Sequence, residues 1–294
     1  MKPAIFEYHS PTTLGEAFAL LDEYGYDAKI LSGGQSLIPM MNMRLARPLH
    51  LIDINHIKEL DYINVTNSEI RIGGLTRHYK LEQSKEIAEI CPLITEGVKW
   101  IGHAQIRSRG TIGGSVVHAD PTAELPVILS TLGAAITIAS SRGERTLTTD
   151  EFFLTYMTTV IEPDEILVSI QIPRPPARTG YAIDEFAMRK GDFAIVLAAA
   201  SVTLDEQGKD DSAALCLGGA GGVPILLPEV TDEMIGKFPE ESMIKASCRK
   251  IFDLIEPESD IHANAEYRKD LSVVYAERVL RKAAERAEKQ VISV

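Results

Sequence analysis

Apolar residues near the start of the chain recur at helical spacing between a capping signal and a glycine. Thr13 and Glu16 have the spacing of a capping box, in which a hydroxyl and a carboxylate cap the first turn of a helix. The apolar positions that follow are Leu14, Ala17, Phe18 and Leu21. They fall on one face of a helix, and Gly25 is a suitable stop. The pattern predicts a helix that ends near Gly25.

Short strand-like runs surround this helix. Residues 3–8, 29–31 and 50–54 have the length and mixed or apolar character of short strands. Residues 37–45 are predicted to be helical, with Pro39 early in the helix, where proline is tolerated. The order of strand, helix and strand predicts a compact βαβ-like unit over residues 1–57.

A second unit is predicted to follow, as far as a proline-rich linker. Strands are expected at residues 69–73, 134–139 and 166–172, with a helix at 123–132. Residues 82–100 contain helical stretches that break near Pro92. The linker consists of Pro173, Pro175 and Pro176. It is the clearest boundary in the sequence, so we predict one domain at 1–175 and another at 176–294.

The last part of the chain changes from strand-like to helical character. Residues 194–204 and 213–217 are predicted to be strands, and a cluster of glycines at 218–222 interrupts the pattern that follows. Beyond Pro239 the pattern is helical, with apolar residues at Tyr267, Leu271, Val274 and Tyr275.

Composition and charge restrict the possible functions. Apolar residues make up 45% of the 294 residues and charged residues 24%, which is typical of a globular protein. The net charge of −12 argues against nucleic acid or an anionic membrane as a partner, and no segment approaches the ~18 continuous apolar residues of a membrane span. Three cysteines without C-x-x-C spacing offer no recognisable iron–sulfur or zinc site. With an N-terminus that lacks an apolar signal region, they predict a cytoplasmic protein.

Two glycine-containing segments carry the clearest chemical signal. The first glycine segment is Ser-Gly-Gly-Gln-Ser at residues 32–36, and the second is Thr-Ile-Gly-Gly-Ser at residues 111–115. Glycine accepts positive φ and has no Cβ to obstruct an anion, so each segment can turn several backbone N–H groups toward one point. One such turn suggests a phosphate. Two suggest a diphosphate held from both sides, and hence a dinucleotide.

Each segment taken alone has a simpler explanation. Neither matches the G-x-G-x-x-G pattern of the Rossmann fold or the lysine pattern of a P-loop, and a glycine pair near a strand end is most often an ordinary turn. Asp120 follows the second segment. Its carboxylate is able to accept a hydrogen bond from a ribityl or ribose hydroxyl, or else to cap a helix that starts at Pro121.

The residues around both segments resemble a known family. SGGQSLIPMMNMRLARP (residues 32–48) and TIGGSVVHADPTAELP (residues 111–126) are similar to the two FAD-binding segments of the flavoprotein, or medium, subunit of molybdenum hydroxylases. That group includes carbon monoxide dehydrogenases and the FAD domain of xanthine dehydrogenase. Residues 163–173, 188–205 and 259–280 also resemble this family, so the resemblance extends over nearly the whole chain.

The resemblance implies an α+β fold and a set of FAD-binding residues. The implied architecture is a FAD-binding domain of the vanillyl-alcohol-oxidase type in two subdomains, about 1–57 and 58–175, followed by a C-terminal domain (176–294) with a three-stranded antiparallel sheet and helices. Both glycine segments would cradle the diphosphate of a noncovalently bound FAD through backbone amides. The residues of this cradle are Ser32, Gly33, Gly34, Gln35, Ser36, Leu37, Thr111, Ile112, Gly113, Gly114 and Ser115.

Four further residues are assigned by the resemblance to the rest of the flavin nucleotide. Asp120 would bind the ribityl region, and Leu167 would lie near the isoalloxazine ring. Phe193 would cover one face of the ring, and Lys190, or its neighbour Arg189, would supply positive charge close to it.

The family also implies a role within a larger enzyme. The substrate would be oxidised at a molybdenum cofactor on a large subunit, and electrons would pass through the [2Fe–2S] clusters of a small iron–sulfur subunit to FAD and then to an external acceptor. We therefore predict an oxidoreductase subunit in a dimer of heterotrimers. No catalytic residue and no metal site are expected in this chain, because His103 and His118 are scattered and no Ser/His/Asp or Cys/His arrangement is recognisable.

Two other functions fit the residues less well. A stand-alone FAD oxidoreductase of similar fold would need its own acid or base near the flavin, and the sequence offers no good candidate. A nucleotide-binding or assembly module without enzymatic activity would give a colourless protein that ignores FAD. Flavin colour and co-purifying subunits distinguish these hypotheses.

Overall fold

The N-terminal part of the chain folds around a small parallel sheet. The structure is a computed structural model and describes residues 2–292. The first elements are β1 (Glu7–His9), α1 (Leu14–Tyr24), β2 (Ala28–Leu31), α2 (Leu37–Asn42) and β3 (His50–Asp53). The strands are ordered β1-β3-β2, and β3 pairs in parallel with both neighbours, as the βαβ-like pattern predicts. Leu21 of α1 and Ile52 of β3 are buried in the same apolar cluster.

The start of α1 confirms half of the predicted capping box. Thr13 is the N-cap, and its hydroxyl accepts a hydrogen bond from the backbone N–H of Glu16 at 3.2 Å. The Glu16 carboxylate accepts from the backbone N–H of Thr12 at 2.7 Å, one residue before the expected donor. Gly25 ends the helix with a φ of +49°, which glycine adopts at little cost.

An antiparallel sheet and a series of short helices make up the middle of the chain. The elements in order are β4 (Ile63–Val65), β5 (Glu69–Gly73), α3 (His78–Gln83), α4 (Lys85–Ile90), α5 (Pro92–Gly97), α6 (Ala104–Arg109), α7 (Ile112–His118), α8 (Glu124–Thr131), β6 (Ala135–Ser140), β7 (Gly143–Thr148), α9 (Thr149–Phe152), β8 (Phe153–Thr155), β9 (Thr158–Thr159) and β10 (Ile166–Pro173). The main sheet has the order β4-β5-β10-β6-β7, and β8 and β9 pair separately. Its buried face supplies Ile70, Ile72, Ile170 and Ile172 to the largest apolar cluster.

Several features of this region differ from the sequence prediction. The helical stretch over 82–100 breaks at Ser84 as well as beside Pro92, because Ser84 adopts an extended conformation and its hydroxyl caps α4 by accepting from the N–H of Ile87 at 3.3 Å. The short strands β4, β8 and β9 were not predicted, and neither was the longer β7. Its side chains are almost all exposed, so it lacks the apolar alternation that identifies a half-buried strand.

The C-terminal part contains a second antiparallel sheet, with four strands rather than the expected three. Its elements are β11 (Thr179–Phe186), β12 (Val196–Leu204), β13 (Asp210–Gly218), β14 (Ile225–Leu226), α10 (Pro228–Thr231), α11 (Glu241–Cys248), α12 (Ile251–Leu254) and α13 (Ala265–Ile292). The strand order is β11-β12-β13-β14. Pro224 and Pro228 lie on either side of β14. Because proline cannot donate to a ladder, they keep this fourth strand short.

Helix α13 lies on the C-terminal sheet across a contact built from small residues. The buried face of the helix includes Ala276, Val279, Leu280, Ala283, Ala284 and Ala287. Opposite this face is Gly180 of β11, where an added Cβ would lie 2.0 Å from the carbonyl oxygen of Ala283 and 2.4 Å from the backbone nitrogen of Ala287. Backbone atoms therefore limit how closely helix and sheet approach. Although α13 has 28 residues, neither it nor another helix within residues 2–292 is apolar over the length that a bilayer crossing requires.

We predict that Gly180→Ala lowers the free energy of unfolding by about 1–3 kcal/mol, the usual cost of overpacking, because the new methyl group meets helix backbone that cannot rotate away. Urea denaturation followed by circular dichroism measures this change. Gly15→Ala is the matched control, since a Cβ at Gly15 meets no atom within 4 Å. Equal stability of the Gly180 variant and the wild type would contradict the proposed contact.

Candidate functional site

The two glycine segments meet at one place in the structure. The first follows β2 and the second begins α7, and the Ser32 and Thr111 hydroxyl oxygens lie 3.0 Å apart. A Cβ added at Gly33 would lie 2.7 Å from the carbonyl oxygen of Arg109 and 2.8 Å from the Cα of Gly110. The absence of a side chain at Gly33 therefore lets the backbones of the two segments pack directly against each other.

The first segment presents a run of unpaired backbone donors. Within residues 2–292, the N–H groups of residues 33–37 have no hydrogen-bond acceptor, and the next N–H, that of Ile38, donates to the carbonyl oxygen of Gly34 at 3.1 Å. Gly34 has a φ of +70°, a conformation that L side chains rarely adopt. The Gln35 side chain donates to the carbonyl oxygen of Gly33 at 3.0 Å, so it stabilises the turn. Such a run of N–H groups is suited to an anion.

The second segment is the first turn of a helix rather than an open turn. Its N–H groups are already paired within the protein. The N–H of Ile112 donates to the carbonyl oxygen of Thr76 at 3.0 Å, and that of Gly113 to the carbonyl oxygen of Gly74 at 2.9 Å. Both remaining N–H groups donate to Thr111: that of Gly114 to its hydroxyl and that of Ser115 to its carbonyl oxygen, each at 3.1 Å. The expectation that both segments offer backbone amides is therefore wrong for residues 112–115. Thr111 acts as the N-cap of α7, and capping consumes the donors.

The glycines of the second segment have a packing role. A Cβ at Gly113 would lie 2.6 Å from the carbonyl oxygen of Gly74. A Cβ at Gly114 would meet two hydroxyl oxygens, those of Thr111 at 2.8 Å and Ser32 at 2.9 Å. These glycines allow α7 to start directly against the turn after β5 and beside the first segment.

Asn55 and Arg77 hold the junction together, and sequence reasoning missed both. The Asn55 amide donates to the carbonyl oxygen of Ser32 at 2.8 Å, while Arg77 donates to the side-chain oxygen of Asn55 and to the carbonyl oxygen of Arg109. One guanidinium thus links Asn55, which holds the first segment, to the residue that lies two positions before the second. Burial lowers the pKa of Arg77, but a guanidinium keeps its charge in a protein. No local motif marks either residue, because each acts through contacts distant in sequence.

Asp120 stabilises a turn instead of capping a helix. Its Oδ1 accepts hydrogen bonds from the backbone N–H of Thr122 at 2.9 Å and from the Thr122 hydroxyl at 2.6 Å. Helix α8 starts later, with Ala123 as its N-cap, so the interpretation of Asp120 as a cap for a helix starting at Pro121 is wrong. Since α7 has seven residues and rises 1.5 Å per residue, Asp120 lies roughly 10 Å along the helix from the second segment's start.

Two carboxyls with raised pKa values lie near this turn. Burial raises the pKa of Glu124 to about 7, and the negative charge of Asp120 adds to the shift. Burial likewise raises the pKa of Glu185 to about 8, with a further contribution from Glu124. Both carboxyls hold their protons more strongly than an exposed glutamate does.

Leu167 and the loop that carries Lys190 and Phe193 occupy different surroundings. Leu167 is 5% exposed, and its carbonyl oxygen would lie 2.4 Å from a Cβ at Gly74, the residue that also contacts Gly113. Phe193 is 70% exposed, and Lys190 is exposed as well. Their loop joins β11 to β12 and is anchored at Gly191, where a Cβ would lie 2.5 Å from the Cε1 atom of His103. His103 immediately precedes α6, which leads into the second segment.

The cysteines contribute no nucleophile to the site. Cys91, Cys216 and Cys248 are free and buried. Burial raises the pKa of the Cys91 and Cys248 thiols to about 12 and raises that of Cys216 as well. A thiol that keeps its proton is a poor nucleophile and a poor metal ligand.

Comparison with known families identifies the chain. Residues 4–175 match the family described as the FAD binding domain in molybdopterin dehydrogenase, and residues 181–283 match the CO dehydrogenase flavoprotein C-terminal domain. The chain belongs to the flavoprotein family of the molybdenum hydroxylases. It is thus a FAD-binding oxidoreductase subunit of the carbon monoxide and xanthine dehydrogenase type, and the resemblance in the sequence is confirmed.

Curated relatives share this family along almost their whole length. The chain is 42% identical over 287 residues to the 6-hydroxypseudooxynicotine dehydrogenase complex subunit alpha of Paenarthrobacter nicotinovorans, covering 98% of this chain and 97% of the relative. It is 35% identical over 285 residues to the carbon monoxide dehydrogenase medium chain of Hydrogenophaga pseudoflava, covering 96% and 98%.

Solved structures of the family have the same fold. A chain of carbon monoxide dehydrogenase from Hydrogenophaga pseudoflava superposes with a TM-score of 0.94 at 34% identity, covering 97% of this chain and 99% of that one. A chain of quinoline 2-oxidoreductase from Pseudomonas putida 86 superposes with a TM-score of 0.93 at 34% identity, covering 98% and 99%.

We predict that Gly33→Ala lowers the free energy of unfolding by about 1–3 kcal/mol through overpacking, because its methyl group would meet the backbone of residues 109–110. Gly114→Ala is the comparison variant and should cost less, since its methyl group meets two side-chain oxygens rather than backbone; its cost comes from displacing the Thr111 oxygen that caps α7. Chemical denaturation measures both. An alanine at Gly33 that leaves stability unchanged would show that the two backbones do not touch.

Proposed function

We infer that the diphosphate of a noncovalently bound FAD lies on the backbone N–H groups of residues 33–37. The observation that carries this proposal is the run of five unpaired donors, which includes Gly34 at positive φ. Buried backbone donors are rarely left unpaired; residues 33–37 are half-buried and lead into the first turn of α2, where a phosphate oxygen satisfies such N–H groups well. The first segment fits the cofactor that the family binds.

The second segment supports the cofactor in a different way. With the amides of residues 112–115 paired, the groups that it offers are the Thr111 hydroxyl and the close packing that positions the first segment. The Ser32 hydroxyl lies beside that of Thr111. We propose that these hydroxyls and the Ser115 side chain face the nucleotide, while Gly113 and Gly114 shape the support.

The remaining predicted residues are assigned to the flavin half of FAD. One oxygen of Asp120 is held by Thr122, and its Oδ2 has no donor within the described part of the chain, so it is available to a ribityl hydroxyl. Leu167 contributes apolar surface beside Gly74. The exposed ring of Phe193 is free to stack on the isoalloxazine, with Lys190 on the same loop supplying positive charge.

We propose that the chain carries electrons within a larger enzyme. FAD supplies the electron-transfer chemistry when bound, and this chain binds and orients it. Electrons would arrive from the [2Fe–2S] clusters of a small subunit, after oxidation of the substrate at the molybdenum cofactor of a large subunit, and leave to an external acceptor. The two similar chains named above are a complex subunit and a medium chain. The three cysteines of this chain are free and buried, so we assign the clusters to a partner subunit.

The finer organisation follows the same proposal. We propose a FAD-binding domain of the vanillyl-alcohol-oxidase type at 1–175, with subdomains 1–57 and 58–175, and a C-terminal domain at 176–294. The parallel and antiparallel sheets on either side of residue 57 support this division. A dimer of heterotrimers in the cytoplasm is the proposed assembly. The free cysteines are in keeping with a reducing compartment.

We predict that Gly34→Ala loses flavin and keeps its fold. Alanine at a φ of +70° strains the turn, and its Cβ would meet only the side chains of Leu31 and Ile38, so the amide run moves while the backbone contact at Gly33 remains. Flavin content, read from absorbance after acid release, should fall at least tenfold. The matched control is Gly133→Ala, which has a φ of +60° and open space around it. Equal flavin content in both variants would contradict the proposed diphosphate site.

Purification from the native host tests the assembly. The tagged chain should bring down two further chains, and metal analysis of the complex should find iron and molybdenum together with acid-releasable FAD. Recovery of the chain alone, yellow and reduced directly by a substrate of its own, would instead support a stand-alone FAD oxidoreductase. A colourless chain that does not bind added FAD would exclude both functions.

A further inference from the structure

Three metal-ligating side chains lie on one face of the N-terminal sheet. Glu7 and His9 alternate along β1, so both point to the same face. His50 of β3 is the register partner of Glu7 in the parallel ladder, which places it on that face as well. The topology therefore brings two imidazoles and a carboxylate together from positions more than 40 residues apart.

The separations between the ligand atoms suit a single metal ion. The Nε2 atom of His9 lies 3.1 Å from the Nδ1 atom of His50, and the nearest Glu7 oxygen lies 3.7 Å from that same Nδ1. All three ligand atoms lie within 4.8 Å of one another. Nitrogen and oxygen ligands bind Zn²⁺ at about 2.0–2.2 Å, so ligands of one ion stand roughly 3–4 Å apart.

Neighbouring groups hold the histidines in place. The ring of Tyr24 stacks on the imidazole of His50, with centroids 3.7 Å apart and an interplanar angle of 4°. The His50 side chain is 17% exposed, whereas that of Glu7 is 73% exposed. Two fixed imidazoles and one carboxylate that is free to move form a partly preorganised ligand set. Without a metal, the two ring nitrogens are within hydrogen-bonding distance of each other.

We propose that Glu7, His9 and His50 form a binding site for a divalent transition metal of the Zn²⁺ class. Two imidazole nitrogens and one carboxylate are the donor set of many zinc sites, and imidazole ligands disfavour Mg²⁺ and Ca²⁺. When a metal binds, each neutral imidazole carries its proton on the ring nitrogen that does not coordinate, so His9 Nε2 and His50 Nδ1 both present a lone pair to the ion. Three protein ligands leave one position for water. The ion links the three-residue edge strand β1 to the central strand β3. It therefore stabilises the same sheet whose opposite edge strand, β2, leads into the first glycine segment.

Zn²⁺ titration of the full-length flavoprotein tests this site. Isothermal titration calorimetry of metal-free protein should show one saturable Zn²⁺ per chain that excess Mg²⁺ does not displace. His9→Gln and His50→Gln should each weaken binding at least tenfold, and Glu7→Gln should weaken it less because its carboxylate is the most exposed ligand. The exposed residue His262 supplies the control, and His262→Gln should bind Zn²⁺ as the wild type does. Unchanged binding in both the His9 and the His50 variants would overturn the proposal.

A second measurement covers variants that fail to fold. Wild-type crystals soaked in Zn²⁺ should show an anomalous difference peak at the zinc absorption edge between the three side chains. If other positions in the same crystal are fully occupied by Zn²⁺ and no peak lies between these three side chains, the proposed site is wrong. Flavin content does not enter either readout, so the result is independent of the proposed FAD contacts.

Discussion

The direct packing of one glycine backbone on another is the constraint on which the site depends. Gly33 has no Cβ, and the carbonyl of Arg109 and the Cα of Gly110 occupy the space that a Cβ would need. At this contact the segment that follows β2 of the parallel sheet meets residues 109–110, which immediately precede the second segment. Asn55 reinforces it by donating to the carbonyl oxygen of Ser32, and Arg77 by bonding to Asn55 and to the carbonyl oxygen of Arg109, just before the second segment. The first segment is thus packed against residues 109–110, while the N–H groups of residues 33–37 remain unpaired and available to an anion.

The two glycine segments look alike in sequence and do different things in the structure. In the first, positive φ at Gly34 frees a run of N–H groups. In the second, Thr111 caps a helix. The N–H groups of residues 112–115 are used by bonds to Thr111 and to the carbonyl oxygens of Gly74 and Thr76. A glycine pair therefore indicates close approach of another backbone as readily as it indicates an anion site. The two cases differ in where the next helix starts: Thr111 caps α7 with its side chain, whereas α2 starts after the first segment and its N-cap, Ser36, makes no side-chain cap hydrogen bond.

Much of the fold could be predicted from local pattern, and the contacts that assemble the site could not. Strands such as β5 and β10 and helices such as α1 follow from apolar spacing and stop signals. Strand β7 was not predicted because its side chains are exposed, and β14 was not predicted because it is only two residues long. Asn55 and Arg77 carry no motif. Their importance comes from hydrogen bonds that span 22 or more residues, and such contacts exist only once the sheets are in place. Resemblance to the family supplied candidate positions such as Leu167 and Phe193, which the spacing of residues alone does not indicate.

The most direct test is a crystal structure of this chain with FAD bound. The account predicts that diphosphate oxygens lie about 3 Å from backbone nitrogens of residues 33–37, and that the hydrogen bonds made by the amides of residues 112–115 stay intact. A diphosphate placed elsewhere, with residues 33–37 pointing away from it, would contradict the account. So would a structure in which the start of α7 has opened and its amides hold the diphosphate instead.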